Sequence, residues 1–392
     1  MFVEEVNDAN ATHSSWNGGS LQQGTEPFLP AYCVPASMRV AFVSETTAHH
    51  VDADDVDRLR LLGDLLAARG HDVHVCCAQW WEGQPDTFEH EDLTYHAVTA
   101  ERGQRWFSPK AAATLRNLDP DVVHGTSRTP GHVYGARWGA LLAGAPLILD
   151  WYDPHDSTDG LRGRAYRYAA RKPSTVVTPS RTVKTSAREC SADGDEVRVV
   201  PTGIDMKGIR TVEPAEAGDI VFSRRLDEDA NLESLFLALA EFREYGWNCT
   251  IVGDGPARAG YERQARDLRI DDRVEFVGEK SVEERVRLFK DAHVYVHTAE
   301  RTSFGLDLLR ALACGCVGIV EYHAESSAHE LVETYDRGFR ATNDEEITEC
   351  LVAAGDLERM AVDETFAEYD HEHFLEAYLD VYREAQEQAG LL

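Results

Sequence analysis

Between Asp219 and Val320 the chain reads strand, Arg225, helix, strand, Gly253-Asp254-Gly255-Pro256, helix, "VEFVG", helix, strand, and then "SFGLDLLRALACGCVGIV". Short β-branched runs separated by helices of about 10–15 residues build a parallel sheet covered on both faces. In such a sheet the glycine turns and helix N-termini gather at the carboxyl ends of the strands, where phosphate-bearing ligands bind.

The same alternation begins at Arg39 with "RVAFVS". A helix near 55–69 closes at Arg69-Gly70, a C-cap signal. Strand "DVHVCC", a strand near 93–98, a helix near 109–117 and strand "DVVH" follow. Next come a helix near 132–143, "PLILD" at 146–150, a basic helix at 161–172, "TVVT", a short helix near 181–189 and "VRVV". Residues 1–37 are rich in Asn, Ser, Gly, Gln and acids and read as a disordered tail, with Met38 an alternative start. We therefore expect an N-terminal domain at 38–205, a linker at 206–218, a second domain at 219–360 and a closing helix within 361–392. That helix, near 364–387, carries an apolar stripe that needs a partner surface.

The charge is unusual: 69 acids against 39 basic residues give −30, and only six of the basic residues are Lys. The acids are spread over every helix, which suits a hydrated shell in concentrated salt better than a cation-binding patch. Duplex nucleic acid is a poor partner at this charge. The eight cysteines show no metal spacing and sit in apolar contexts, as in a reducing, cytoplasmic protein. No apolar run has the length of a membrane span, and no secretory signal is visible at the N-terminus.

Seven segments, in order, carry a resemblance: "RGHDVHV", "PDVVH", "VTPS" and "PTGID" in the first domain, and "GDGP", "VEFVG" and "FGLDLLRALACG" in the second. Across 38–385 the chain resembles the family 4 retaining glycosyltransferases. The resemblance implies the GT-B architecture, two Rossmann-like domains facing a central cleft, with a nucleotide-sugar donor on the C-terminal domain. It also implies a glycan or polyprenyl-phosphate-linked acceptor, with no cofactor and no metal. In "DWYDP" the family's donor-facing His aligns with Tyr152, while Asp153 is kept, and Thr126 stands where a second His follows "PDVVH".

The departures fall on charged positions. The family's "GRL…EK" turn reads Arg224-Arg225-Leu226-Asp227-Glu228-Asp229-Ala230, so Arg225 is kept and the diphosphate-binding Lys becomes Ala230. The two glutamates around the "FG" turn align with Thr302 and Arg310. Transfer from a sugar nucleotide needs negative charge stabilised on the leaving diphosphate and positive charge on the sugar. Arg225 supplies a cation, as does Arg224 or Arg310 in place of the lost Lys. Ser303, Phe304, Gly305 and Leu306 supply amides at a helix start, Gly278 ends "VEFVG" at the strand end, and Glu300 is a substitute contact for the donor sugar. Each lost charged hydrogen bond costs roughly 1.5–3 kcal/mol unless replaced.

Other readings stand beside these. Gly253 and Gly255 equally suit any tight strand-to-helix turn, Arg310 a surface pair with Asp307, and His124 a core position. From Leu161 to Arg188 eight basic residues occur with no acid. The helix at 161–172 is thus either a docking face for anionic lipid at the inner membrane surface or an ordinary solvated helix. The expected activity is retaining sugar transfer, with catalytic candidates Arg225, Asp153 and Tyr152. The rival is a glycosyltransferase-like partner subunit without turnover. A phosphorylase has no evident pyridoxal-phosphate lysine.

Overall fold

A computed structural model of the protein describes residues 37–51, 53–83, 86–152, 175–189 and 197–391. In the N-terminal half, β1 (Arg39–Val43), β2 (Asp72–Ala78), β3 (Thr87–His90), β4 (Leu93–Thr99), β5 (Val122–Thr126), β6 (Leu147–Asp150), β7 (Thr175–Thr178) and β8 (Val197–Val199) form one sheet, ordered β3-β4-β2-β1-β5-β6-β7-β8. All its pairings are parallel except the edge hairpin β3–β4, which the sequence pattern did not reveal. β5 and β6 are buried throughout, as is β1 after Arg39, so they read as continuous apolar runs rather than alternating ones. Helix α1 (Asp54–Ala68) ends at Arg69 and turns through Gly70, whose φ of +91° suits glycine. Helices α2 (Phe107–Leu118) and α3 (Pro130–Ala143) pack on each other, closely enough that a Cβ at Gly139 would lie 2.1 Å from Leu115.

The C-terminal half holds β9 (Ile220–Ser223), β10 (Cys249–Val252), β11 (Val274–Gly278), β12 (Val294–His297), β14 (Val317–Glu321) and β16 (Gly338–Ala341), in the parallel order β11-β10-β9-β12-β14-β16. A separate pair, β13 (Arg301–Thr302) with β15 (Glu325–Ser326), sits at the carboxyl end of that sheet.

Two sequence expectations need correction. The stretch 206–218 is not wholly a linker, because Met206–Thr211 is helical, capped by the Asp205 carboxylate accepting from the Gly208 N–H (2.8 Å). The closing helix is broken: Glu364–Tyr369 is a 3-10 turn, and the α-helix runs His371–Gln388. Asp370 makes the break, with extended backbone and a carboxylate that accepts from the Glu372 N–H (3.0 Å). The apolar stripe divides there. Phe366 and Tyr369 join the C-terminal core, whereas Phe374, Leu375, Tyr378, Leu379 and Tyr382 pack against the N-terminal sheet.

Candidate active site

The carboxyl ends of β9, β10 and β12 present three loops. The first, after β9, carries Arg224 and Arg225. It is pressed against the second so tightly that side chains are excluded there. A Cβ at Gly253 would lie 2.0 Å from the Arg224 carbonyl, and one at Gly255 would lie 2.2 Å from the Leu226 carbonyl. Gly253 (φ +125°) donates to the Gly278 carbonyl (2.9 Å), and Gly278 itself sits at φ +75°. Close backbone approach at Gly253 and Gly255, and the left-handed φ of Gly278, account for these three glycines.

The third loop, after β12, runs through Glu300 to Gly305 into helix Leu306–Ala313. Asp307, on its first turn, is the hub of a charge cluster. It accepts from Ser223 Oγ (2.6 Å) and Arg310 Nη1 (2.8 Å), and Arg285 Nη1 lies at 3.3 Å. Burial would raise its carboxyl, but Arg285, Arg310 and Ser223 outweigh that and hold it below the ordinary range. Arg310 therefore pairs with Asp307 as one sequence reading had it, yet it is not a surface residue: only 14% of its side chain is exposed.

Arg224 points inward. Its Nη1 donates to Thr302 Oγ1 (3.1 Å), and that hydroxyl lies 3.0 Å from His297 Nε2. Burial, then Arg224, pushes His297 down to about 3, so the ring is neutral. The buried Arg224 Nε has no hydrogen-bond partner. Arg225 is turned outward: 71% of its side chain is exposed, and its Nε is 3.9 Å from Asp227. Four arginines thus surround this end of the sheet. Arg310 is committed to Asp307; Arg285 pairs with Asp307 but, like Arg224, keeps a buried, unpartnered Nε, and Arg225 is turned outward.

The remaining positions are placed less uniformly. Ala230 is buried in a 3-10 turn, its carbonyl accepting from Thr298 Oγ1 (3.0 Å). Glu300 is exposed, with its backbone N–H on the Asp229 carbonyl (3.0 Å). The Leu306 N–H is spent on the Phe304 carbonyl (2.9 Å), so it is not available to a ligand, and Phe304 packs into the core below Ser303 and Gly305. Tyr152 is buried, with an unpartnered hydroxyl whose pKa burial, then Asp54, drives far up; it is no accessible acid or base. Asp153 and the basic segment 161–172 lie outside the described residues. His124 is a core residue, fully buried, with Nδ1 2.7 Å from the Tyr382 hydroxyl.

Two acids escaped the sequence reading. Asp54, on the first turn of α1, is open to solvent but faces this cluster from the N-terminal half. Its carboxyl is raised by burial among the surrounding protein and next by Asp307, with Arg224 and Arg310 pulling the other way. Glu45, just past β1, accepts from the Gly103 N–H (2.8 Å) and lies 3.8 Å from His132 Nε2. Its place beyond the carboxyl end of a central strand was the available signal.

Comparisons with known proteins agree with this geometry. The family model "Glycosyltransferase Family 4" matches residues 57–207, and "Glycosyl transferases group 1" matches 209–351. Alpha-monoglucosyldiacylglycerol synthase of Streptococcus pneumoniae is 26% identical over 212 residues, 47% of this chain and about half (47%) of that protein's length. The GDP-mannose-dependent alpha-mannosyltransferase of Mycolicibacterium smegmatis is 26% identical over 313 residues, 71% of this chain and 78% of that one. Sucrose-phosphate synthase of Thermosynechococcus elongatus superposes with a TM-score of 0.70 at 17% identity, covering 88% of this chain and 98% of its own. The fold is GT-B. With one family model on each half, the chain is a glycosyltransferase of the family 4 type.

Proposed function

We propose that the protein moves a sugar, with retention, from a nucleotide-sugar donor seated on the C-terminal half to a glycan or lipid-linked acceptor on the N-terminal half. The observation that carries this is the pair of uncommitted arginines at the end of β9. A leaving diphosphate needs fixed cations, and Arg224 is already oriented through Thr302 and His297. It replaces in charge, though not in position, the lysine lost at Ala230, and Arg225 supplies the second cation. Thr302 orients a cation rather than contacting sugar, so the sugar hydroxyls fall to Glu300 and to the loop beyond it. Among the described residues Tyr152 is buried and Asp307 is paired with arginines, and in this reading the leaving phosphate oxygen takes the acceptor proton.

Relatives bear on the substrates by name alone: one is a GDP-mannose-dependent mannosyltransferase and one a synthase of a glucosylated diacylglycerol. The second name favours a lipid acceptor, with the basic segment 161–172 as its membrane contact. No helix among the described residues is long and apolar enough to cross a membrane. The acidic composition points to activity in molar salt. Purified protein in molar KCl, titrated with UDP-, GDP-, ADP- and dTDP-sugars, should bind one of them saturably and release its nucleotide slowly. Folded protein that binds none of them would overturn the proposal.

A further inference from the structure

We infer that Glu330 is a positioning residue that ties the donor loop to the N-terminal half, so that seating of the donor and the set of the two halves are coupled. The inference rests on the glycosyltransferase reading above. The segment 325–331 is bonded at its start to the donor loop. Thr302 pairs with Ser326 across β13–β15, the Ser327 N–H donates to the Thr302 carbonyl (2.8 Å), and Ser327 Oγ donates to the Ser303 carbonyl (2.7 Å). Ala328 then packs fully buried, 3.6 Å from where a Cβ on Gly305 would stand.

Three residues after Ser327 the same segment reaches the other half. Glu330 Oε1 accepts from the Thr182 N–H and from Thr182 Oγ1, both at 2.7 Å. Its Oε2 accepts from the Arg181 N–H (2.9 Å) and Arg181 Nε (3.3 Å). Arg181 and Thr182 open the helix Arg181–Glu189, which follows β7 of the N-terminal sheet. One carboxylate from the C-terminal half thus caps a helix of the N-terminal half, where the exposed amides and the dipole favour an anion. Its side chain is largely covered, with 13% exposed. Glu333 adds an ion pair to Arg181 from a more exposed position.

The strut is short and rigid: a 3-10 turn, Ala328–Leu331, separates the donor-loop bonds from the cap. A shift of the helix at Arg181 is therefore carried to Thr302 and Ser303, and Thr302 is what orients Arg224. Nothing in the sequence marks Glu330, because its partners lie nearly 150 positions away.

The test compares wild type, Glu330→Gln, Glu333→Gln and Thr182→Val in molar KCl. Donor KM and kcat are measured with whichever of UDP-glucose, GDP-mannose, ADP-glucose or dTDP-glucose wild type binds, alongside thermal midpoints. Glu330→Gln removes a charged acceptor and should raise donor KM about tenfold with kcat changed little. Thr182→Val should raise it roughly threefold, and Glu333→Gln should leave it unchanged. A lowered midpoint with unchanged KM for Glu330→Gln would make the cap purely structural and overturn the inference. If that variant does not fold, an unchanged KM in Thr182→Val overturns it equally. Wild type that binds no nucleotide sugar instead brings down the transferase reading, and the inference with it.

Discussion

Two arginine–aspartate clusters, one in each half of the molecule, show how the same chemistry serves different ends. In the N-terminal half Arg58 and Asp150 meet at 3.1 Å, both almost wholly buried. Every branch of that guanidinium is occupied, by Thr202 Oγ1, the Val200 carbonyl and the Tyr378 hydroxyl, and the Tyr378 hydroxyl donates on to Asp150 (2.7 Å). The cluster pins the C-terminal helix to the sheet, and Asp150 Oδ1 is a buried oxygen it leaves without a partner. In the C-terminal half Asp307 also gathers arginines, but Arg224 beside it keeps a buried, unpartnered Nε. The first cluster is a buried junction that holds a helix to the sheet, whereas the second, at the end of a strand, keeps guanidinium N–H groups without partners.

That contrast can be broken most forcefully at Arg58. Replacing it by Met strands Asp150 as a buried charge and should cost roughly 3–5 kcal/mol of stability in denaturant titrations. Donor affinity of the protein that remains folded should be close to wild type. Arg224→Ala should do the reverse, weakening donor binding by about tenfold or more while stability stays within ~1 kcal/mol. Should both variants lose stability alike, the two clusters would have the same role.

Acid separates them further. His297 is held at about 3 in the folded protein against 6.5 in the unfolded chain. The unfolded chain therefore binds the extra proton between those values, so stability is fully present above pH ~6.5 and declines as pH falls toward 3. At pH 5 the loss from this ring is ~2 kcal/mol, and His297→Gln should remove that part of the slope in denaturation midpoints. Asp150 is held at about 2 against 3.8 in the unfolded chain, because Arg58, His124 and Tyr378 outweigh its burial. Its contribution survives above pH ~4 and is lost as pH falls through 2, a window that lies mostly below that of His297. The smallest effect is expected at Asp54, whose carboxyl, raised by burial and by Asp307, faces Arg224 and Arg310. Asp54→Asn should tighten donor binding at most a few-fold, read by calorimetric titration, and weaker binding would give Asp54 a direct ligand contact instead.

Much of the architecture was legible because it is local. Strand–helix alternation, the Gly70 cap and the glycine turns at 253, 255 and 278 all express short-range rules of backbone geometry. The antiparallel β3 was missed because a four-residue edge strand carries little pattern. The break at Asp370 was missed because the apolar stripe continues across it, with two different cores as its targets. Within the site, the motif pointed to Arg225 and the loop beyond Thr302. The inward turn of Arg224, the commitment of Arg310 to Asp307, and the placing of Asp54, Glu45 and Glu330 depend on partners brought together by the fold. Tyr152 shows the opposite failure: its position at a strand end suggested a ligand, but its ring is needed in the packing where the two halves meet.

The central claim is that the uncommitted arginines hold a donor diphosphate. The direct measurement is calorimetric titration of wild type, Arg224→Ala and Arg225→Ala with the nucleotide-sugar panel in molar KCl. The account predicts saturable binding by wild type that each substitution weakens by about tenfold or more. Binding of equal strength in all three folded proteins would contradict it.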